Sequence, residues 1–559
     1  MEIRSITSDL SVSPQIAAGD IAALKDRGFR AIICNRPDGE GADQPSVEEI
    51  ETAAREAGLE VRYVPVTAGM VRDEDTAAFA DALQALPGPV LAYCRTGTRS
   101  ATLWSLMQAN QLPLSEILAR TKAAGYDMNG VARRIANGGR TPTDVADAEF
   151  DVVIVGAGAA GISVAASLRA RDTSLQVALI DPADIHYYQP GWTMVGGGVF
   201  QAADTAKTMG SLIPAGVHWI KAAVAAFEPE KNAIILDGCR VVKYARLIVC
   251  PGLKLDWGRI EGLEETLGRN GVTSNYRYDL APYTWKLVQD MKGGRALFTQ
   301  PPMPIKCAGA PQKAMYLSAD AWTKAGVLQD IDIQFMNAGG VLFGVKDYVP
   351  ALEEYVKKYR IDLNFFHNLV AVDGPAKKAT FEVKAPDTEA TRVTVDFDMM
   401  HVSPPQVAPD FIRVSPLADE AGWVDVDQVT LRHKTYENVW SLGDVMNAPN
   451  AKTAAAARKQ APVVAENVLA DIKGHGPAAQ YDGYGSCPLT VERGKIVLAE
   501  FGYGGVLLPS FPKFLIDGTK ATRAAWFMKE RMLPPIYWMA MLRGREWMAK
   551  PESISAAKH

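Results

Sequence analysis

No run of 18 apolar residues occurs in the chain, so no membrane-spanning helix is expected. Cysteine is scarce: Cys34, Cys94, Cys239, Cys250, Cys307 and Cys487 are widely spaced, and no C-x-x-C pair or His/Cys cluster appears. That excludes a disulfide scaffold and a structural zinc site, and no metal is expected. The seven histidines are scattered, and none stands out as a catalytic base. Positive charge is not in excess either. The net charge of −5 gives no reason to expect nucleic acid as a partner. The opening "MEIRSITSDLSVS" lacks a basic segment followed by an apolar one, so no secretory signal is expected.

What is present is an α/β pattern with core-forming residues in plenty. At about 150 residues per domain, 559 residues suggest three or four units. Residues 1–112 alternate β-branched runs such as "FRAIICNRP" and "VRYVPV" with helical stretches. In "SVEEIETAAREAG", Ser46 and Glu49 form a capping box and Gly58 stops the helix. Residues 113–148 predict a helical segment and a linker, the linker being "NGGRTPTDVADAE". Strands and helices then alternate from 149 to about 475. The expected parts are 149–260 (first dinucleotide-binding part), 261–390 (second dinucleotide-like domain), 391–475 (return to the first) and 476–559. The last is richer in aromatics, Met and Pro.

Gly156, Gly158 and Gly161 form G-x-G-x-x-G after the apolar run 152–155, with Ala159 and Ala160 opening the helix that follows. Gly156 permits the tight turn, Gly158 lets a pyrophosphate approach the backbone, and Gly161 lets helix and strand pack closely. The helix N-terminus faces the phosphates. Asp181, 20 residues beyond Gly161 at the end of "QVALID", accepts from a ribose hydroxyl. The late strand "YENVWSLGDVMNAP" carries Gly443 and Asp444. It resembles the strand that brings an acid to the flavin's ribityl chain in two-dinucleotide-domain flavoproteins, which suggests FAD. The segment "IDIQFMNAGGVLFGVK" lies where a second nucleotide loop would fall and lacks G-x-G-x-x-G, which argues against NAD(P)H. Cys250, in "KYARLIVCPG", reads as a small packing residue.

Four further stretches, "DPADIHYYQPGWTMVGGG", "PIKCAGAPQKAMYLSA", "NAKTAAAA" and "YDGYGSCPL", together resemble sulfide:quinone oxidoreductase of the eukaryotic type over residues 150–550. The resemblance implies an FAD enzyme at a membrane surface that passes electrons from a sulfur species to quinone. It implies that Cys307 is the redox cysteine nearest the flavin, that Asp181, Gln189 and Val224 surround the adenosine and pyrophosphate, and that Lys452 lies near the flavin's pyrimidine edge or the quinone. Beside the resemblance, Lys306 and a following helix N-terminus should lower the Cys307 pKa. The resemblance also places a second redox cysteine directly after Gly-Asp, where this chain has Val445. Cys239, Cys250 and Cys487 offer no evident substitute, and Cys487 reads as structural. His186 reads as structural, near the adenosine.

In "LAYCRTGTRSA" a strand delivers Cys94 to a small-residue loop closed by Arg99, and a helix begins near Ser100. Such a loop aims backbone N–H groups at the sulfur, while the arginine adds bidentate donors. It resembles rhodanese and cysteine-phosphatase loops. The four residues between Cys94 and Arg99 suit a sulfur atom better than a tetrahedral phosphate. "NRPDGE" and "YVPV" resemble a phosphatase-like family of the beta-lactamase-hydrolase-like type. Asp38 reads as a turn residue, with a phosphatase-style general acid as the alternative.

Residues 511–550 hold eight Lys/Arg against three acids, a net +5 on a −5 chain, interleaved with Trp526, Phe527, Tyr537, Trp538 and Trp547. This suits an interfacial pair of short helices split at Pro534-Pro535, or packing on its own domain or on a second copy in a homodimer. The expectation is therefore a cytoplasmic, peripheral-membrane α/β flavoenzyme with FAD as cofactor: a phosphatase/rhodanese-like domain ahead of a Rossmann-like two-dinucleotide-domain flavoprotein with an amphipathic tail. Its expected partners are quinone and small sulfur species (sulfide, persulfide, thiosulfate or sulfite), with sulfane sulfur carried on Cys94. Two alternatives stay open: an NAD(P)H-linked FAD reductase of persulfides, disulfides or quinones, and a redox or phosphatase-type regulatory protein.

Overall fold

A computed structural model describes residues 2–41, 44–142 and 146–554. Residues 143–145 of the expected linker lie outside the described residues. The chain divides into two units: Met1–Phe150 with Ala222–Tyr244 and Asp410–Gly422, and Asp151–Lys221 with Ala245–Pro409 and Trp423–His559.

In the first unit, β1 (Arg4–Ser5), β2 (Leu10–Ser13), β3 (Ala31–Cys34), β4 (Glu60–Tyr63) and β5 (Val90–Tyr93) form a sheet ordered β1-β2-β5-β3-β4. All pairs are parallel except β1 with β2. "AIIC" and "VLAY" are buried throughout, as central parallel strands covered on both faces require. The helices are α1 (Ile21–Asp26), α2 (Val47–Ala57), α3 (Asp73–Ala85), α4 (Thr98–Met107), α5 (Leu114–Ala123) and α6 (Ala132–Ala136). α2 starts and stops as its sequence predicts. Ser46 Oγ accepts from Glu49 N–H, Glu49 Oε2 accepts from Ser46 N–H, and Gly58 ends the helix at φ 72°.

The dinucleotide-type half is built from β6 (Ala148–Val155, in the second unit from Asp151), α7 (Ala159–Arg171), β7 (Val177–Ile180), β8 (Val217–Ile220) and β9 (Val241–Val249, in the second unit from Ala245). The strands run in the order β8-β7-β6-β9. A second parallel sheet holds β10 (Val272–Thr273), β11 (Gly294–Gln300), β12 (Ile331–Asn337), β13 (Asp362–Phe365) and β14 (Met399–His401), ordered β10-β14-β11-β12-β13. α8 (Ala310–Ala325) follows β11 and is buried along most of its length. β15 (Val439–Ser441) joins β9 in parallel, and α9 (Ala454–Ile472) packs on α7. An antiparallel hairpin, β16 (Gly485–Glu492) and β17 (Lys495–Phe501), lies against α8. Its inward side chains, among them Cys487 and Leu489, share one core with Met315, Tyr316 and Trp322 of α8. This packing positions the site described below.

The tail forms α10 (Arg523–Phe527), a π-helical turn Met528–Met532, and α11 (Leu533–Met539), with both prolines in the first turn of α11, where missing N–H groups cost nothing. Trp526, Tyr537 and Trp538 are buried, while Phe527 and Trp547 are each 58 % exposed. The aromatics therefore do not form one solvent-facing stripe. No helix among the described residues is long and apolar enough to cross a membrane.

Candidate active site

Cys307 stands between β11 and α8 at φ 82°, a backbone conformation uncommon for a side chain larger than hydrogen. Its carbonyl accepts from Ala310 N–H, which starts the helix one turn later. The Cys307 Sγ lies 3.2 Å from Cys487 Sγ, contributed by β16 from 180 residues away. Lys313, one turn into α8, donates its Nζ–H to Cys307 Sγ at 3.1 Å. Gly309 makes the sulfur pair possible: a Cβ there would sit 2.7 Å from Cys487 Sγ and 2.3 Å from Leu489 Cδ2.

The electrostatics of the pair are asymmetric. Cys487 donates to Cys307, and together with the Lys313 and Lys529 ammoniums this holds Cys307 well below the usual thiol range, against the opposing push of burial. The same hydrogen bond, with burial, pushes Cys487 well above it. Burial works to lower Lys313, but the two sulfurs outweigh it and raise it. Lys529, 4 % exposed in the π-helical turn, is pushed down to about 7 by burial and then by Lys313. One thiolate is thus stabilised beside a neutral thiol, an arrangement suited to disulfide and persulfide exchange. The cation that touches the sulfur is Lys313. Lys306, which sequence reasoning put there, instead donates to Gln189 Oε1 at 2.6 Å.

The reading of Cys487 as structural is corrected. Val445 is fully buried after Gly-Asp, and the thiol facing Cys307 comes from "YDGYGSCPL". The signal was present in that motif and in the small residues after Cys307. The pairing of β16 with α8 is not visible along the sequence.

The glycine loop fits a dinucleotide. Gly156 has φ 99°, and a Cβ on it would meet Cys250 O at 2.6 Å. A Cβ on Gly161 would lie 1.8 Å from Gly156 O, so α7 needs glycine to approach the loop. A Cβ on Gly158 would meet nothing within 4 Å, which leaves open backbone where a pyrophosphate fits before α7. Ala159 and Ala160 form the first turn of α7. The Asp181 oxygens accept from Ala157 N–H and Ala183 N–H, leaving lone pairs for ribose hydroxyls. His186 holds Ala157 O at 3.1 Å and the Tyr537 hydroxyl at 2.7 Å, and burial lowers its pKa. Cys250 is buried beside Gly156 O and raised by burial, as a packing residue should be.

Gly443 (φ 80°) stands against Ala160, its Cβ position 3.1 Å from the alanine's, and its N–H is accepted by Gln460. The glycine loop and the Gly-Asp turn are therefore neighbours, as one shared cofactor requires. Burial raises the Asp444 carboxyl, with Lys452 and Lys306 opposing. Lys452 donates to the carbonyls of Asp444 and Met446 and lies 4.4 Å from the Trp423 ring centre. A loop-paired cation thus stands beside this turn. Val224 begins the strand Val224–Glu228, paired with Ala233–Leu236, in the first unit. After β12, Leu342 O accepts from Gln312, Val341 O accepts from Asn337, and Gly340 abuts Phe366. Leu342 and Phe343 of that loop are buried, while Gly339, Gly340 and Val341 are exposed.

In the first unit, Cys94 ends β5 and is 1 % exposed. Gly97 N–H donates to its Sγ at 3.1 Å. Gly97 must be glycine: φ is 88°, and a Cβ would lie 2.0 Å from the Tyr126 hydroxyl. Arg99, in the first turn of α4, donates to Val66 O and Glu40 Oε2, both at 2.7 Å. Asp38 Oδ1 accepts from Val47 N–H at the start of α2.

A sulfide:quinone oxidoreductase of Dictyostelium discoideum is 42% identical over 402 residues, covering 71% of this chain and 87% of the relative. The chain belongs to the sulfide:quinone oxidoreductase family. The mouse sulfide:quinone oxidoreductase is 40% identical over 395 residues, again covering 87% of the relative. Residues 150–285 match the pyridine nucleotide-disulphide oxidoreductase family model. The sulfide:quinone oxidoreductase of Aquifex aeolicus has the same fold, with a TM-score of 0.60 at 18% identity over 72% of this chain and 98% of that one. As a family member with a fitting glycine loop, this protein is an FAD-dependent oxidoreductase. Its extra N-terminal part, residues 2–111, matches the phosphatase-like domain of beta-lactamase hydrolase-like protein. The beta-lactamase hydrolase-like protein of Xylella fastidiosa is 35% identical over 130 residues, but the match spans only 30% of that relative's length.

Proposed function

We propose that the protein oxidises sulfide at the Cys307–Cys487 pair and delivers the electrons to a quinone. The observation that carries this reading is the 3.2 Å approach of the two sulfurs, with Lys313 on one of them. In the oxidised pair, hydrosulfide attacks Cys487 Sγ. The Cys307–Cys487 bond breaks, Cys307 leaves as thiolate, Cys487 keeps the incoming sulfur as a persulfide, and the proton goes to solvent. The direction follows from the better leaving group being the sulfur of lower pKa, here Cys307. Lys313 holds the departing thiolate. A nucleophilic acceptor then takes the outer sulfur and returns Cys487 to the thiol. FAD, when bound, supplies the acceptor for the two electrons released as the pair re-forms its disulfide, and passes them to quinone. Gly156, Gly158, Gly161, Asp181, Gly443 and Asp444 are the residues that would hold it; Ala159, Ala160 and Gln189 are its proposed neighbours.

In the first unit, Cys94 is the proposed sulfane-sulfur carrier. Its thiolate attacks the outer sulfur of thiosulfate, the S–S bond breaks, sulfite leaves, and a thiol or cyanide then removes the sulfur and restores the thiolate. The six-part division at 112, 148, 260, 390 and 475 belongs to this reading. So does docking of the tail on a membrane from the cytoplasmic side, supported by exposed Phe514 (90 %), Leu515, Phe527 and Trp547 among basic residues. Anaerobic mixing of the purified protein with sulfide and a short-chain quinone tests the main claim. The flavin spectrum should bleach with sulfide and recover with quinone; a spectrum unmoved by sulfide ends the proposal.

A further inference from the structure

Glu40 belongs to "NRPDGE", yet nothing in the sulfur chemistry above uses it. Its Oε2 accepts from Arg36 Nε at 2.9 Å and from Arg99 Nη2 at 2.7 Å. Both arginines are under 10 % exposed, and Arg36 also donates to Gln15. Hydrogen bonding to Arg99 holds the Glu40 carboxyl below its usual range, so it is charged at neutral pH. Arg99 in turn senses Cys94 as well as Glu40. The short loop therefore aims its closing arginine at an internal carboxylate and a backbone carbonyl.

We propose that Glu40 sets the anion affinity of the Cys94 loop: paired with Arg99, it weakens the binding of tetrahedral dianions, inorganic phosphate among them. The charges argue it. Glu40 holds both the Arg36 and the Arg99 guanidinium, while Arg95 in the loop is exposed. A bound phosphate dianion would compete with Glu40 for Arg99, and must either displace the carboxylate or face it. The inference goes beyond the reading of Cys94 as a sulfur carrier: it concerns the anion affinity of the same loop and is tested apart from it.

The test uses full-length, FAD-loaded protein titrated with inorganic phosphate and followed by phosphorus NMR line broadening. Glu40→Gln should bind phosphate at least about tenfold tighter than the unaltered protein, as expected when a repelling charge is removed from a partly buried anion site. Glu40→Asp should bind no tighter than the unaltered protein. Glu40→Ala deletes the same charge and serves if the amide variant fails to fold. In the double variant Glu40→Gln/Arg99→Met the gain should vanish, which localises it to the loop. Equal phosphate affinity with and without the Glu40 charge overturns the proposal, as does a gain that survives loss of Arg99. Thiosulfate-to-cyanide sulfur transfer by the unaltered protein is scored separately. Its absence alongside a phosphate gain in Glu40→Gln would overturn the sulfur-carrier reading and uphold the role of Glu40.

Discussion

Replacing Cys487 with alanine removes the donor that the Cys307 sulfur faces at 3.2 Å. A hydrogen bond to a charged group contributes about 1.5–3 kcal/mol. At about 1.36 kcal/mol per pKa unit, its loss should raise the Cys307 pKa by about one to two units. Lys313 stays at 3.1 Å, so the thiol should still ionise below the range of an ordinary cysteine. The rate of alkylation of Cys307 by iodoacetamide against pH, read by peptide mass spectrometry, gives that midpoint directly. Cys487→Ser separates the two tasks of the second sulfur. It keeps a donor and should hold the midpoint near that of the unaltered protein, yet it cannot form a disulfide or carry a persulfide, so sulfide should no longer bleach the flavin. The reasoning fails if Cys487→Ala leaves the midpoint in place, or if the serine variant still oxidises sulfide.

Other outcomes follow from the same geometry. Gly309→Ala places a methyl 2.3 Å from Leu489 Cδ2 and 2.7 Å from Cys487 Sγ, so it should lower the melting temperature, with a cost of about 1–3 kcal/mol, and slow disulfide formation between the two cysteines. The Lys529 pKa is depressed to about 7 in the fold, against about 10.4 when unfolded. The unfolded chain therefore holds more protons between those values, and Lys529 makes stability rise with pH from about 7 to about 10.4. Lys529→Met should flatten that rise in urea unfolding measured across pH; an unchanged slope would count against the buried ammonium. Cys94→Ser should abolish thiosulfate-to-cyanide transfer while leaving the flavin bound; unchanged transfer would refute a sulfur carrier at that position.

Local features were legible in the sequence because they depend on short spacings. The capping box at Ser46, the three glycines after β6, the Gly-Asp turn and the Cys94 loop all stand where the pattern puts them. The sulfur pair was not legible. Its members are 180 residues apart, and only the packing of the β16 hairpin on α8 brings them together. Lys306 adjoins Cys307 in sequence, but an extended backbone turns its side chain toward Gln189. Lys313 reaches the sulfur because it lies one helical turn beyond Gly309. The tail's composition suggested a lipid-facing aromatic belt, yet Trp526, Tyr537 and Trp538 are spent on the protein's own core, and burial of that kind is set by tertiary packing.

Peptide mass spectrometry of the oxidised protein before and after one equivalent of sulfide tests the central claim most directly. Before addition, Cys307 and Cys487 should be joined to each other. Afterwards, Cys487 should carry one extra sulfur and Cys307 should be free to alkylate. A disulfide from Cys307 to any other cysteine, or the added sulfur found on Cys307 with Cys487 free, would contradict the account.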